Sequence, residues 1–302
     1  VSGARGLWGL DLGGTKIEGA ILLPDHPQTT LARLRRPTES SQGYDHILSQ
    51  ICGVVADLEN ASGQQRPARI GIGTPGTLAP DTGLLKNSNT LCLNGRSLRE
   101  DCAAALGCDV VITNDANCFA LAESLLGAAV GADVVFGIIL GTGAGGGIVV
   151  HGRLLNGLHG IAGEWGHNPL RGESFPCYCG RFGCVETAIA GPSLERFYRE
   201  NGGEALRVPE IVLRAQGGEV LALATLERLR EKFGEALAAV LNILDPDAVV
   251  IGGGVGNLDL LYEDATREAI RRYLFNPDIR TRILRPTLGD SAGVFGAALL
   301  AI

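Results

Sequence analysis

Residues 163–186, GEWGHNPLRGESFPCYCGRFGCVE, bring one imidazole and three thiols into a single short stretch: His167, Cys177, Cys179 and Cys184. That is the donor set of a closed tetrahedral Cys3His zinc site, in which protein nitrogen and sulfur fill all four positions. Gly163, Gly166, Gly172, Gly180 and Gly183 punctuate the run, and such turns let a backbone aim four short side chains at one ion. The same letters fit a plainer description, a disulfide or a set of buried thiols, because Cys-x-Cys followed by x4-Cys departs from the commonest finger spacings. Glu164 and Glu186 bracket the stretch. Ionised carboxylates accept hydrogen bonds and offer none, so two of them held by a rigid loop suit a ligand rich in hydroxyls.

Three glycine-rich turns carry a second chemistry. Asp11-Leu12-Gly13-Gly14-Thr15-Lys16 links two apolar runs, 7–12 and 17–23, which predict antiparallel strands around a glycine turn. Exposed N–H groups, a hydroxyl and an ammonium suit a phosphate, and Asp11 at the strand end is placed to hold magnesium through water. An ordinary Gly-Gly hairpin accounts for the same residues, and the spacing is not that of a Walker A loop. Gly141-Thr142-Gly143-Ala144-Gly145-Gly146 lies between predicted strands 134–140 and 147–150, and Gly252-Gly253-Gly254-Val255-Gly256 follows one over 247–251. Both let the backbone approach a ligand closely, with a tight turn as the alternative. Asp115 stands between a strand over 110–113 and a helix over 118–126. It is either an N-cap or a carboxylate at the carboxyl end of a strand, where ligands of α/β sheets bind. Asn87, Asn89 and Asn94 follow the Pro75-Gly76 turn and serve either turns or a polyol.

These residues need a scaffold, and apolar spacing predicts helices over 44–61, 209–215, 219–244, 259–273 and 291–302, with further strands at 69–74 and 282–284. Strand pair, glycine turn, helix and strand recur in both halves, which predicts two related α/β lobes with a cleft between them and a boundary near residue 116. A chain of 302 residues, 45% hydrophobic and 20% charged, has the composition of a soluble globular enzyme of two domains. Its net charge of −7 argues against a nucleic-acid surface, so phosphates must be held locally by backbone N–H groups, helix N-termini or a metal. Five of the eight cysteines are scattered, as expected of buried free thiols in the cytoplasm. The uncharged run 134–150 is broken too often by glycine to span a membrane. The N-terminal VSGARG lacks the apolar core of a secretory signal.

In this order, the motifs resemble those of the ROK family of sugar kinases and repressors. The likeness covers nearly the whole chain: Leu10 to Lys16, Thr113-Asn114-Asp115-Ala116-Asn117, Leu140 to Gly143, Gly163-Glu164-Trp165-Gly166-His167, Cys177 to Glu186, and Ile251 to Gly254. It implies an α/β, two-lobed actin-like ATPase fold of the ribonuclease-H type with a zinc-binding loop. The implied lobes are 1–116, with the terminal helix 291–302 packed on it, and 117–290, which carries the zinc loop. By the same resemblance Asp115 is the catalytic base, and Asp11 helps hold magnesium. Gly13, Gly14, Thr15, Lys16, Gly141, Thr142, Gly143, Gly253 and Gly254 contact ATP. Pro75, Gly76, Asn87, Asn114, Asp115, Glu164, His167 and Glu186 line the sugar site, with His167 doubling as a ligand of a structural zinc. The implied activity is that of an ATP-dependent hexose kinase acting at the C6 hydroxyl. Lys86-Asn-Ser-Asn, Leu93-Asn94-Gly95, 163–170 and Pro176-Cys-Tyr-Cys-Gly look most like fructokinases with mannokinase activity, with N-acetylglucosamine kinase or glucokinase as the alternative. A non-catalytic sugar-sensing regulator is not expected: the first phosphate loop already at Asp11 and the acidic balance speak against a DNA-binding repressor, and Asp115, Asp11 and the glycine loops, all present, against a catalytically dead sugar-binding protein. The expected partners are ATP and a hexose, in a homodimer, without nucleic acid or membrane.

Overall fold

The first two apolar runs pair across their glycine turn. In the computed structural model, which describes residues 6–302, β1 (Leu7–Leu12) and β2 (Lys16–Leu23) are antiparallel, with Asp11 opposite Glu18 and Leu12 opposite Ile17. Residues 1–5, which carry most of the segment argued not to be a secretory signal, lie outside the described residues. β3 (His26–Pro37) extends the sheet antiparallel to β2. α1 (Tyr44–Ser62) buries Ile47, Ile51, Val54, Val55 and Leu58, one stripe at helical spacing in which each side chain contributes about 1.5–3 kcal/mol on burial. It stops at Gly63, whose left-handed φ of 66° lets its N–H bond the Glu59 carbonyl. β4 (Arg69–Thr74) then returns parallel to β1. After the hairpin β5 (Thr77–Leu78) and β6 (Leu85–Lys86) and helix α2 (Leu98–Leu106), β7 (Asp109–Asn114) lies parallel to β4. The order is β3-β2-β1-β4-β7, and α3 (Asp115–Leu125) leaves the end of β7 directly.

The second half repeats the plan. β8 (Val134–Leu140) and β9 (Ala144–Val150) form an antiparallel hairpin. There follow β10 (Arg153–Leu154), the cysteine-rich stretch, and helices α4 (Glu186–Ile189), α5 (Gly191–Glu200), α6 (Val208–Gln216) and α7 (Val220–Leu244). β11 (Ala248–Gly252) lies parallel to β8, and after α8 (Asp264–Arg271) β12 (Arg282–Leu284) lies parallel to β11. The run β9-β8-β11-β12 thus copies β2-β1-β4-β7: a hairpin, then parallel crossovers.

Two compact units result. One runs through Val130 and takes up Gly152–Ala162 and Thr287–Ile302; the other holds Gly131–His151 and Gly163–Pro286. The terminal helix α9 (Ala292–Leu299) lies on β1 and β4 of the first unit. It comes so close that a Cβ on Gly71 would fall 1.8 Å from the Ala297 carbonyl oxygen, which only glycine permits. Each unit has its own apolar core, around Trp8, Leu10, Ile47 and Ile72 in the first and around Phe136, Trp165, Phe233 and Ile251 in the second. Among the described residues no helix is long and apolar enough to cross a membrane.

The predicted helix over 259–273 is two pieces. A 3-10 turn, Asp259–Tyr262, is separated from α8 by Glu263 in an extended conformation. The Tyr262 hydroxyl reaches the carbonyl oxygens of Ile251 and Gly256, at 2.9 and 2.8 Å, and this tie to the 252–256 turn holds the segment off a continuous helical path.

Candidate functional site

In the first unit the parallel strands β1, β4 and β7 carry their carboxyl ends to one sheet edge. Asp11 is level with Gly73, Gly73 with Thr113, and Thr74 with Asn114, so Asp11 and Asp115 belong to the same edge although about a hundred residues separate them in sequence. Asn114 is the cap of α3: its Oδ1 accepts the Asn117 N–H at 2.7 Å. Asp115 is therefore the first helical residue and not the cap, and its Oδ1 accepts the neighbouring Ala116 N–H at 2.8 Å. Solvent reaches Asp115, yet the dense protein around it raises its carboxyl above the ordinary value, against the two backbone hydrogen bonds that lower it. Asp11 is pushed up to about 6, first by burial, then by the charges of Asp115 and Glu18, with Lys16 opposing. The Asp115 charge adds to the cost of ionising Asp11, and a divalent cation beside Asp11 would relieve that cost.

The 13–16 turn is braced from a residue with no motif around it. Thr38, fully buried, donates its hydroxyl to the Gly13 carbonyl at 2.6 Å and its N–H to the Thr15 carbonyl at 3.0 Å. Nothing in the spacing singles it out; the only local signal is a Thr directly after Pro37 at a strand end. The turn at Pro75-Gly76 packs on residues 86–88, where a Cβ on Gly76 would lie 2.5 Å from the Lys86 carbonyl oxygen. Asn87 holds a left-handed φ of 60°, with its side chain exposed. Asn94 serves the turn, pairing with both the N–H and the carbonyl of Ser88 at 2.9 Å.

In the second unit the other two glycine turns adjoin at the carboxyl ends of β8 and β11. The N–H groups of Val255 and Gly256 both reach the Leu140 carbonyl, and Gly141 accepts from the N-terminal Gly191 N–H of α5 at 2.8 Å. Gly253 has φ 89°, and a Cβ there would lie 2.4 Å from the Leu140 oxygen, so the close approach of the two turns requires glycine. Glu186, at the start of α4, accepts the Ala144 N–H at 3.0 Å, and the Trp165 indole donates to the Gly145 carbonyl at 3.1 Å. The turn after β8 is shorter than the glycine spacing suggests, because Ala144, Gly145 and Gly146 already pair with β8 as the start of β9, and the cysteine-rich stretch is tied at both ends to those first residues of β9.

The four metal-type ligands converge. The donor atoms of His167, Cys177, Cys179 and Cys184 all lie within 4.8 Å of one another. Cys179 and Cys184 sulfurs are 3.7 Å apart, and the Cys177 sulfur is 3.6 Å from His167 Nδ1. A tetrahedral zinc with bonds of about 2.3 Å to sulfur and 2.0 Å to nitrogen sets S···S near 3.8 Å and S···N near 3.5 Å. A disulfide needs about 2.05 Å, and all three cysteines are free. The donor set therefore fits zinc, with every position filled by protein. Cross-bonds Leu170 to Gly183 and Val185 to Asn168 close the stretch, and Arg228 and Lys232 of α7 hold it through Glu173. His167 Nε2 faces away, 3.1 Å from the Tyr178 hydroxyl. Burial, then the Glu186 and Glu164 carboxylates, raise the Tyr178 phenol above its ordinary value.

A family model described as "ROK family" matches residues 7–302. The chain belongs to the ROK family. Within it, an N-acetyl-D-glucosamine kinase from Pectobacterium atrosepticum is 37% identical, covering 97% of this chain and 98% of that protein. Among solved structures, a ROK hexokinase from Thermus thermophilus has a TM-score of 0.88 at 34% identity, covering 98% of this chain and 97% of that one. A ROK family glucokinase from Streptomyces griseus, in complex with glucose and AMPPNP, has a TM-score of 0.76 at 29% identity, covering 98% and 99%. The actin-like ATPase fold implied by the sequence motifs is thus the fold of this ROK protein, with mixed sheets in both units.

The expectation of a fructokinase with mannokinase activity is corrected. Besides the Pectobacterium atrosepticum protein, seven further curated relatives at 35% identity are N-acetyl-D-glucosamine kinases. The structure explains why the chosen motifs misled. Asn94 holds a turn, Lys86 Nζ bonds the His159 carbonyl, and Cys177 and Cys179 belong to the metal cluster. Residues spent on scaffolding record the fold and say little about which substituents a sugar carries.

Proposed function

We propose that this ROK protein transfers the γ-phosphoryl group of ATP to a hydroxyl of N-acetyl-D-glucosamine. The observation that carries the reading is the full-length likeness to N-acetyl-D-glucosamine kinases at 35–37% identity, and the site chemistry supports it. The attacking hydroxyl gives its proton to Asp115 as its oxygen bonds the γ-phosphorus and ADP leaves. The raised affinity of Asp115 for a proton strengthens it as a base. Such transfer asks a protein chiefly to position donor and acceptor and to neutralise charge. Asp11 takes magnesium on the nucleotide phosphates, with Gly13, Gly14, Thr15, Lys16 and Gly141, Thr142, Gly143, Gly253, Gly254 supplying backbone and side-chain donors. Pro75, Gly76, Asn87, Asn114, Glu164, His167 and Glu186 take the sugar. Zinc on His167, Cys177, Cys179 and Cys184 has a structural role, fixing the segment that carries Glu164 and Glu186.

The test is a panel of N-acetyl-D-glucosamine, glucose, mannose and fructose assayed with Mg-ATP. N-acetyl-D-glucosamine should give a kcat/KM at least about tenfold above the others. A tenfold preference for another sugar, or no turnover of any, overturns the reading.

A further inference from the structure

The glycine turn after β11 cannot hold its own shape. Gly252, Gly253, Gly254 and Gly256 supply four of the five residues from 252 to 256, and glycine gives up more conformational freedom on ordering than any other residue. Its geometry is therefore imposed from outside. On one side the Leu140 carbonyl takes the N–H groups of Val255 and Gly256, at 2.9 and 3.0 Å, while the Asn257 N–H turns back to the Gly253 carbonyl at 3.1 Å. The Gly254 N–H is not among the donors spent in this way, and a Cβ at Gly254 would meet nothing within 4 Å. The turn thus leaves open ground at a residue that the proposed function gives to ATP.

On the other side stands Tyr262. Its hydroxyl lies 2.9 Å from the Ile251 carbonyl oxygen, where the chain enters the turn, and 2.8 Å from that of Gly256, where it leaves. A phenol has one proton to donate, and sharing it between these two oxygens holds the ends of the turn together. The ring is itself held. The Arg285 guanidinium lies over it, 3.9 Å from the centroid, where the ring face attracts a cation. The same guanidinium donates to the Asn257 carbonyl at 3.1 Å and pairs with Asp259 at 2.5 Å. Buried Leu260 and Leu261 seat the 3-10 turn from which the tyrosine projects. A phenylalanine would fill the same packing; what the hydroxyl adds is the pair of bonds to the turn.

We propose that Tyr262 is a positioning residue for the phosphoryl donor, its hydroxyl clamping the 252–256 turn in the shape that receives the nucleotide. This rests on the assignment of Gly253 and Gly254 to ATP above. Without the clamp the turn samples other shapes, and the nucleotide must order it on binding, a cost that weakens affinity. Once ATP is bound the turn is ordered again, so the rate of transfer at saturation is kept.

Tyr262→Phe removes the hydroxyl and keeps the ring under Arg285. At saturating N-acetyl-D-glucosamine the KM for Mg-ATP should rise about five- to tenfold, the loss of one net hydrogen bond, with kcat within about twofold of wild type. Calorimetric titration should show the Kd for AMPPNP with magnesium raised by a similar factor and the sugar Kd moved less than about twofold. A lower Tm with nucleotide KM and Kd at wild-type values means that only a structural bond was lost, and overturns the proposal; so does equal weakening of nucleotide and sugar. Should that variant fail to fold, Arg285→Met at the surface carries the test, since it strips the cation from the ring and the donor from the Asn257 carbonyl. A nucleotide Kd raised at least about twofold with the sugar Kd unchanged then supports the clamp, and an unchanged nucleotide Kd overturns it. Wild-type protein that phosphorylates the sugar while Tyr262→Phe binds nucleotide normally sinks this proposal alone. Wild-type protein that does not bind AMPPNP with magnesium sinks the kinase reading, and this proposal with it.

Discussion

Replacing Asp115 by Asn separates a catalytic carboxylate from a structural one, because the structure assigns the structural work elsewhere. Asn114 caps α3, so the cap survives the change. The Asp115 side chain accepts a hydrogen bond from the Ala116 N–H at 2.8 Å, and an amide oxygen can accept it equally well. Removing the charge also removes a repulsion that helps hold Asp11 near 6. Stability should therefore be unchanged or slightly higher, with a Tm shift of at most a few degrees. Catalysis should respond very differently. An amide cannot take the proton of the attacking hydroxyl, and a positioned general base is worth about 10^2- to 10^4-fold in rate, which at 1.36 kcal/mol per decade is about 2.7–5.4 kcal/mol of barrier. The assay is a coupled ADP-release measurement at saturating sugar and Mg-ATP, with sugar Kd and Tm measured on the same preparation. The expected result is a kcat lowered by at least about 10^2 with sugar Kd moved less than about threefold. A kcat within a factor of about three of wild type would refute the base assignment. A kcat loss accompanied by a large fall in Tm would refute the claim that the residue carries no structural load.

Three further outcomes follow from the same geometry. Asp11 titrates near 6, above its unfolded value of 3.8; its contribution to stability is thus fully present below 3.8 and is lost as pH rises through 6, at most about 3 kcal/mol and less for the part that water reaches. Asp11→Asn should abolish turnover yet raise Tm above wild type at pH 8 in the absence of magnesium, with the gap closing at pH 4; equal pH profiles of Tm would disprove the burial argument. Cys179→Ser leaves three of the four ligands, so zinc should fall well below one per chain, cleavage by trypsin after Arg181 should quicken, and sugar affinity should drop while nucleotide binding survives; a disulfide among these cysteines in zinc-free wild-type protein would refute the metal. Gly253→Ala forces a Cβ to 2.4 Å from the Leu140 oxygen at a φ of 89°, and should cost about 1–3 kcal/mol of stability and weaken nucleotide binding more than sugar binding; a Tm matching wild type would show that the turn relaxes freely.

Much of this protein can be read from short spacings, because the forces involved are local. The stripe Ile47, Ile51, Val54, Val55, Leu58 has helical spacing that can be read before its packing partner is known. The glycine turns close hairpins at Leu12 and Leu140. The Cys3His donors lie within one loop, so their meeting needs only a few tight turns. The cap of α3 is a finer matter. Asn114 and Asp115 are equally good capping types, and only the path of β7, which runs through Asn114 before turning, gives the role to Asn114 and frees Asp115. The break at Glu263 likewise depends on a hydroxyl reaching carbonyls at Ile251 and Gly256, contacts that helical periodicity over 259–273 does not register. The substrate motifs misled for a related reason: whether an Asn faces a ligand or, like Asn94, its own turn is fixed by backbone several residues away. The decisive juxtaposition is longer still. Asp11 and Asp115 share one sheet edge because two parallel crossovers place β4 between β1 and β7 in matched register. That pairing is chosen by which faces bury together and not by any spacing along the chain, so the types of the two carboxylates were visible in the sequence while their partnership was decided by the tertiary fold.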